Sequence, residues 1–178
     1  MKVWPLTIQA CLTDGKTMVA DKNELFGAKL EQEKEAFSKH IVQMQKDFDK
    51  IKEFKDLATQ EEFITDSVTL KNQISDAIEQ VKKFNYRETL FGMTELTMYP
   101  ELGDLDKAFK PFYELIEMSK DVVTNLKEWT QEKLMGKNAD EIASFVEQWM
   151  RSCAKLQKQL NEDYPETAEV AIQLREKI

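Results

Sequence analysis

The chain has 178 residues, is 42% hydrophobic and 33% charged, and carries a formal net charge of −8. The hydrophobic share is enough for a core, which excludes wholesale disorder. The acidity argues against nucleic acid and anionic membrane as direct partners, and no apolar run reaches the ~20 residues that span a bilayer.

Only 5 Gly and 4 Pro occur. Few turn punctuators in a chain of this length imply few, long elements, and the abundant Leu, Lys, Glu, Gln, Ala and Met favour helices. The first segment, residues 1–22, differs. Leu6, Ile8, Ala10 and Leu12 alternate with Thr7, Gln9, Cys11 and Thr13, and Asp14-Gly15 follows, then Lys16-Thr17-Met18-Val19. Two short runs flanking Asp-Gly are a strong hairpin signal and predict a small β-hairpin.

From Asn23 to about Ala58 the pattern is helical. Phe37, Ile41, Met44, Phe48, Ile51 and Phe54 recur at 3–4 spacing. Thr59-Gln60-Glu61-Glu62 fits a capping box that opens a second helix reaching about Phe84, with Leu70, Ile74, Ala77, Val81 and Phe84 on its stripe. The short break between the two fits a folded-back pair or a bent continuation equally well.

Residues 88–102 form an apolar elbow, Leu90-Phe91-Gly92-Met93 through Met98-Tyr99-Pro100-Glu101-Leu102. A flexible linker would be polar, so a connector this rich in Phe, Met, Leu and Tyr is expected to pack against the helices it joins. Phe91, Tyr99, Pro100 and Leu102 are its candidate structural residues. Pro100 suits the first turn of a third helix, whose face carries Leu105, Phe109, Phe112, Ile116, Val123 and Leu126 and which Trp129 closes. Pro111 should bend that helix or start it. Gly136 is a candidate C-cap, and Asn138-Ala139-Asp140-Glu141 restarts a fourth helix. Ile142, Val146, Trp149, Cys153, Leu156 and Leu160 line that helix, with Phe145 alongside. Pro165 opens a fifth with Ala168, Ala171, Leu174 and Ile178. No Gly or Asn cap follows Ile178, so the natural chain is expected to continue.

Chemistry is hard to find. His40 is the single histidine and has no partners in the sequence for catalysis or metal binding. Cys11 and Cys153 lie far apart among apolar neighbours, and no signal-peptide core opens the chain, which together suggest two buried thiols in a reducing compartment. Asp47-Phe48-Asp49 and Asp104-Leu105-Asp106 lack the Gly and Glu of a calcium loop. No glycine-rich phosphate cradle is present. The sequence therefore implies no enzyme activity for this segment and no cofactor or metal.

At the elbow a family resemblance appears. Glu88-Thr89-Leu90-Phe91-Gly92, Thr97-Met98-Tyr99-Pro100-Glu101-Leu102, Leu105, Phe109, Phe112-Tyr113-Glu114-Leu115 and Lys127-Glu128-Trp129 together resemble dynein heavy chains where the tail runs into the linker. The elbow looks more like the axonemal (ciliary) dyneins than the cytoplasmic ones. Where that family commonly has Leu-Trp, this chain has Phe112-Tyr113. The resemblance implies a non-catalytic, force-transmitting excerpt of an AAA+ motor of cilia or flagella. Residues 23–87 would be a tail-side helical pair and 103–178 linker-side helices packed through Phe109, Phe112, Trp129 and Trp149. It implies partners in other parts of the heavy chain and associated dynein chains, microtubule contact only through the parent motor, no nucleic acid, no membrane, and a cytoplasmic, axonemal location. The alternative is a helical adaptor or spectrin-like scaffold that binds partners through its stripes. The expected fold is mainly α: an elongated, coiled-coil-like bundle of about five helices with the small N-terminal β-hairpin.

Overall fold

The structure, a computed structural model, describes residues 4–131 and 138–178. It is mainly α. Among the described residues, five α-helices run in chain order as α1 (Trp4–Ile51), α2 (Gln60–Leu90), α3 (Pro100–Gln131), α4 (Ala139–Leu160) and α5 (Pro165–Lys177), with a 3-10 turn (Leu57–Thr59) before α2. Gly136 lies outside the described residues.

There is no strand among the described residues, so the expected β-hairpin is corrected to helix: α1 runs straight through Asp14-Gly15. The physical reason lies in the same side chains. Ile8, Leu12, Val19 and Phe26 also satisfy a helical 3–4 period, whereas a hairpin needs a further surface to lean on. The threonines fit the helix through their hydroxyls. Thr13 donates to the Gln9 carbonyl at 2.8 Å and Thr17 to the Thr13 carbonyl at 3.0 Å.

The first long helix ends at Ile51, seven residues before the expected boundary. Phe54 and Leu57 are both buried, and Phe54 lies 5.4 Å from Phe63. Bringing both under cover requires the chain to leave the helix. The cap that follows is Asp56, whose carboxylate accepts the Ala58 amide at 2.9 Å, rather than Thr59, whose hydroxyl donates to the Asp56 carbonyl.

The chain divides into two compact units, Met1–Val42 with Glu79–Tyr99, and Gln43–Ile78 with Pro100–Ile178. In the first, α1 and α2 are antiparallel: Glu33 meets Arg87, Lys34 meets Glu88, and Phe37 meets Phe84. The two helices therefore fold back on one another there. In the second unit, Phe109 and Phe112 of α3 are fully buried against Phe48, at 5.8 and 5.2 Å edge-on. Helix α3 continues through Pro111. Asn138 caps α4, its side chain accepting the Asp140 amide at 3.1 Å. Trp149, Cys153, Leu156 and Leu160 form the buried stripe of α4. A tight turn, with the Tyr164 amide on the Leu160 carbonyl at 2.7 Å, leads to Pro165 and α5, which buries Ala168, Val170, Ala171 and Leu174. Burial of each Val- or Leu-sized side chain contributes roughly 1.5–3 kcal/mol.

Candidate functional site

The feature that most distinguishes the first unit is where α2 ends. The Gly92 amide donates to the Thr89 carbonyl and the Met93 amide to the Glu88 carbonyl, both at 3.0 Å. Gly92 has φ of +72°. This pair of bonds is a Schellman stop, and it needs a residue that tolerates the left-handed conformation. The turn sends residues 93–99 back along the unit.

That returning segment is held by Glu88, in the last turn of α2. The Glu88 side chain is fully buried and carries a charge. Lys34 of α1 donates its ammonium to Oε1 at 2.8 Å. The Thr97 amide donates to Oε2 at 2.8 Å, and the Thr97 hydroxyl donates to Oε1. Lys34 also reaches Glu31 at 2.9 Å, and the Arg87–Glu33 pair lies beside it. Burial alone pushes the Glu88 carboxyl up. The hydrogen bonds from Lys34 and Thr97 together outweigh it and hold the carboxyl below its ordinary value. Lys34 mirrors this: burial pulls its ammonium down, while Glu88 and Glu31 raise it above the ordinary lysine value. A buried charge is tolerable only when paired and hydrogen-bonded in this way.

Tyr99 completes the arrangement. Its ring stands edge-on to Phe37 at 4.9 Å, and Phe37 stands edge-on to Phe84 at 5.3 Å. The Tyr99 hydroxyl oxygen is buried with no hydrogen-bond partner among the described residues, and burial raises the phenol above its ordinary value. Most large apolar residues of the segment face outward instead. Leu90, Met93, Leu96 and Met98 are all exposed, Met98 at 78%. The connector is thus held through a carboxylate, an ammonium and a threonine more than through its own apolar side chains.

Of the residues singled out in the sequence, Phe91 and Tyr99 are half-buried in the first unit. Pro100, the exposed first residue of α3, and Leu102, buried, belong to the second. Phe109 and Phe112 come together around Phe48, and Phe112 also meets Tyr164 at 4.9 Å. Trp129 stacks on Trp149 at 5.5 Å, with Phe145 stacked at 6.0 Å on the same indole.

Other expectations resolve as follows. His40 is exposed. Cys153 is buried, with Sγ 4.0 Å from Met118 Sδ, and burial pushes its thiol up to about 11. Cys11 is exposed, which corrects the expectation of two buried thiols: its apolar neighbours are themselves uncovered. Asp47 and Asp49 pair with Lys50 and Lys52 at 2.8 Å, and Asp106 with Lys71 at 3.7 Å. Among the described residues no group of three His, Cys, Asp or Glu side chains is arranged to hold a metal ion, and no helix is long and apolar enough to cross a membrane.

The sequence reading missed Lys34, Glu88 and Thr97 as a group, although a signal exists for two of them. Glu88 continues the Ala77–Val81–Phe84 stripe, and Lys34 sits within the Leu30–Phe37–Ile41 stripe. Two opposite charges at apolar positions of two facing stripes are a pairing signal. Thr97 carries no comparable mark.

No family model matches the chain, and no solved structure matches it significantly. It is similar to dynein axonemal heavy chain 12 of Homo sapiens, 23% identical over 156 residues that cover 88% of this chain and 5% of that protein. The protein of the same name from Rattus norvegicus is 22% identical over 156 residues, with the same coverage. The chain therefore spans about one-twentieth of the length of these relatives.

Proposed function

We propose that this chain is a non-catalytic, force-transmitting segment of an axonemal dynein heavy chain, from the region where the tail meets the linker, within an ATP-driven microtubule motor of cilia or flagella. The Lys34–Glu88–Thr97 clasp carries the mechanical part of this reading. It fixes the path of the polypeptide as it leaves α2 with short, charge-assisted bonds in a buried setting, where such bonds are strongest. The dynein part is supported by the similarity to the human and rat heavy chains.

In this role the segment turns over no ATP and binds no cofactor. Its partners are other parts of the heavy chain and associated dynein chains. It meets the microtubule only through the parent motor, consistent with its net charge of −8, and it touches neither nucleic acid nor membrane. It resides in the cytoplasm, on the axonemal cytoskeleton.

The test is Glu88→Gln placed in the parent heavy chain. Microtubule gliding should slow while ATP turnover continues, because the coupling is softened and the chemistry is left in place. Gliding as fast as that of the unaltered motor would count against the proposal. ATP turnover by the isolated 178-residue chain would overturn its non-catalytic part.

A further inference from the structure

The N-terminal part of α1 carries an apolar face that nothing in its unit covers. Helix α2 runs antiparallel to α1 and stops at Leu90, just past the Glu88 that meets Lys34. Residues 8–29 therefore have no helix of the unit alongside, over about 33 Å at 1.5 Å per residue. None of them is buried. Ile8, Leu12, Met18, Val19, Leu25 and Phe26 are each between 48% and 61% exposed. The face is ordered in heptads: Leu12, Val19 and Phe26 fall seven apart, and so do Met18 and Leu25. Thr13, Thr17, Val19 and Asn23 are weak helix formers and Gly15 is weaker still, so this part of α1 depends on packing for its stability.

The charge on this face has one sign. Lys22 and Lys29 continue the seven-residue series of Ile8 and Gly15 along the middle of the stripe, whereas Asp14, Asp21 and Glu24 fall off it. Both lysines are exposed, and neither has an ion-pair partner among the described residues. Residues 1–29 hold four lysines against three acidic residues, in a chain whose net charge is −8. Two copies paired in register would stack these ammonium groups on each other. A lipid surface takes lysines on the polar face of a helix, not in the middle of the apolar one. Farther along, the same helix shows what satisfies a lysine among apolar side chains. Lys34 stands in the Leu30–Phe37–Ile41 stripe, and the helix that faces it supplies the Glu88 carboxylate at 2.8 Å.

We propose that this face docks an amphipathic helix of a partner protein whose apolar stripe carries two carboxylates seven residues apart, set against Lys22 and Lys29. The heptad order calls for a helix as the occupant, and the unpaired lysines call for acidic residues at its seam. Because Lys22 and Lys29 are themselves seven apart, the match holds whichever way the partner runs. The area is adequate. At roughly 60–120 Å² per apolar side chain, the six residues offer about 500 Å², and a docked helix buries about 1,000 Å² in total, the threshold of a specific interface. The apolar side chains supply affinity, while the paired charges set register and turn away a basic partner. This docking is independent of the mechanical role proposed above.

The experiment titrates the intact 178-residue chain into a fluorescent synthetic helix about four heptads long, with leucine along its seam and glutamate at two successive seam positions. A control helix carries lysine at those two positions; like charges at the seam keep either probe from pairing with itself. Anisotropy should show the glutamate helix binding at least tenfold tighter than the lysine helix, with a preference that shrinks as salt rises. The double substitution Lys22→Glu with Lys29→Glu should reverse the preference, and Val19→Asp should abolish binding of both probes. All three positions are exposed, so an unchanged helical circular dichroism spectrum will show that the fold survives. Equal binding of the two probes, binding by neither into the sub-millimolar range, or a preference indifferent to the charge reversal overturns the proposal. Two competing occupants are read in parallel. Self-association in sedimentation velocity that Val19→Asp abolishes would give the face to a second copy. Displacement of the glutamate helix by phosphatidylcholine–phosphatidylserine vesicles would give it to lipid. Either result overturns the proposal.

Discussion

Glu88 accepts the Lys34 ammonium at 2.8 Å inside the first unit, and the same carboxylate accepts both the amide and the hydroxyl of Thr97. One buried side chain thus joins α1, α2 and the connector. Removing one partner of a buried pair leaves the other uncompensated, at a cost of about 3–5 kcal/mol. Lys34 keeps 14% of its side chain exposed, so the lower end applies: Glu88→Ala and Lys34→Ala should each destabilise by about 3 kcal/mol. The double variant should lose much less than the sum. Urea unfolding of the four proteins measures that coupling, and additive losses would show that the pair is not energetically linked.

The clasp also sets a pH window. Burial works against ionised Glu88, but Lys34 and Thr97 prevail, so its folded value lies below its unfolded one. Its contribution is therefore present above the ordinary carboxylate range and is lost as pH falls through the depressed value. Burial likewise pulls Lys34 down before Glu88 and Glu31 raise it. Its contribution is full below the ordinary lysine value and is lost as pH rises through the raised one. Burial raises Tyr99 with the same sign at the alkaline end. The protection of the Thr97 amide, its exchange rate relative to the intrinsic rate at each pH, should be greatest between these limits, and Glu88→Gln should flatten the acid limb when exchange is followed by NMR.

Gly92 sits at φ of +72° with nothing within 4 Å of where a Cβ would stand. A side chain there meets no neighbour, so the cost of Gly92→Ala is conformational alone, about 1–2 kcal/mol. Gly92→Asn should cost less, since Asn tolerates this conformation better. Thermal melting of the two variants ranks them, and the reverse order would remove the left-handed stop as the explanation.

In the second unit, Phe112→Ala removes a fully buried ring that meets both Phe48 and Tyr164. A loss of about 3–5 kcal/mol is expected. Phe91→Ala should cost far less, because Phe91 is only half-buried. Chemical denaturation of both variants tests the contrast.

The two cysteines should differ sharply toward a thiol reagent. Cys11 is exposed, whereas Cys153 is buried with its thiol pushed up to about 11. One thiol per folded chain should react promptly and the second only on unfolding, as read by reagent stoichiometry with and without denaturant.

Helix periodicity made much of this fold legible. Leu70, Ile74, Ala77 and Phe84 on α2, and Trp149, Cys153, Leu156 and Leu160 on α4, stand out at 3–4 spacing and are all buried. The α1 N-terminus was ambiguous because its residues satisfy two periods at once, and Asp14-Gly15 tipped the balance toward a turn. Helix ends were set by tertiary burial: Phe54 and Leu57 stop α1, and no local signal reports what lies beneath them. The connector's apolar composition drew attention to the correct stretch but not to what holds it. That depends on Lys34, 54 residues before Glu88 in the chain, and long-range pairing leaves only the trace of a charge at an apolar position.

The clasp has a further consequence under tension. Glu88 and Thr97 are in direct contact although nine residues apart in the chain, and nine extended residues span about 30 Å. Pulling along the chain through the connector must first break the bonds to Thr97 before any of that contour is released. The segment therefore behaves as a short strap with hidden slack: stiff at low load, then lengthening by a fixed step once its sacrificial bonds yield.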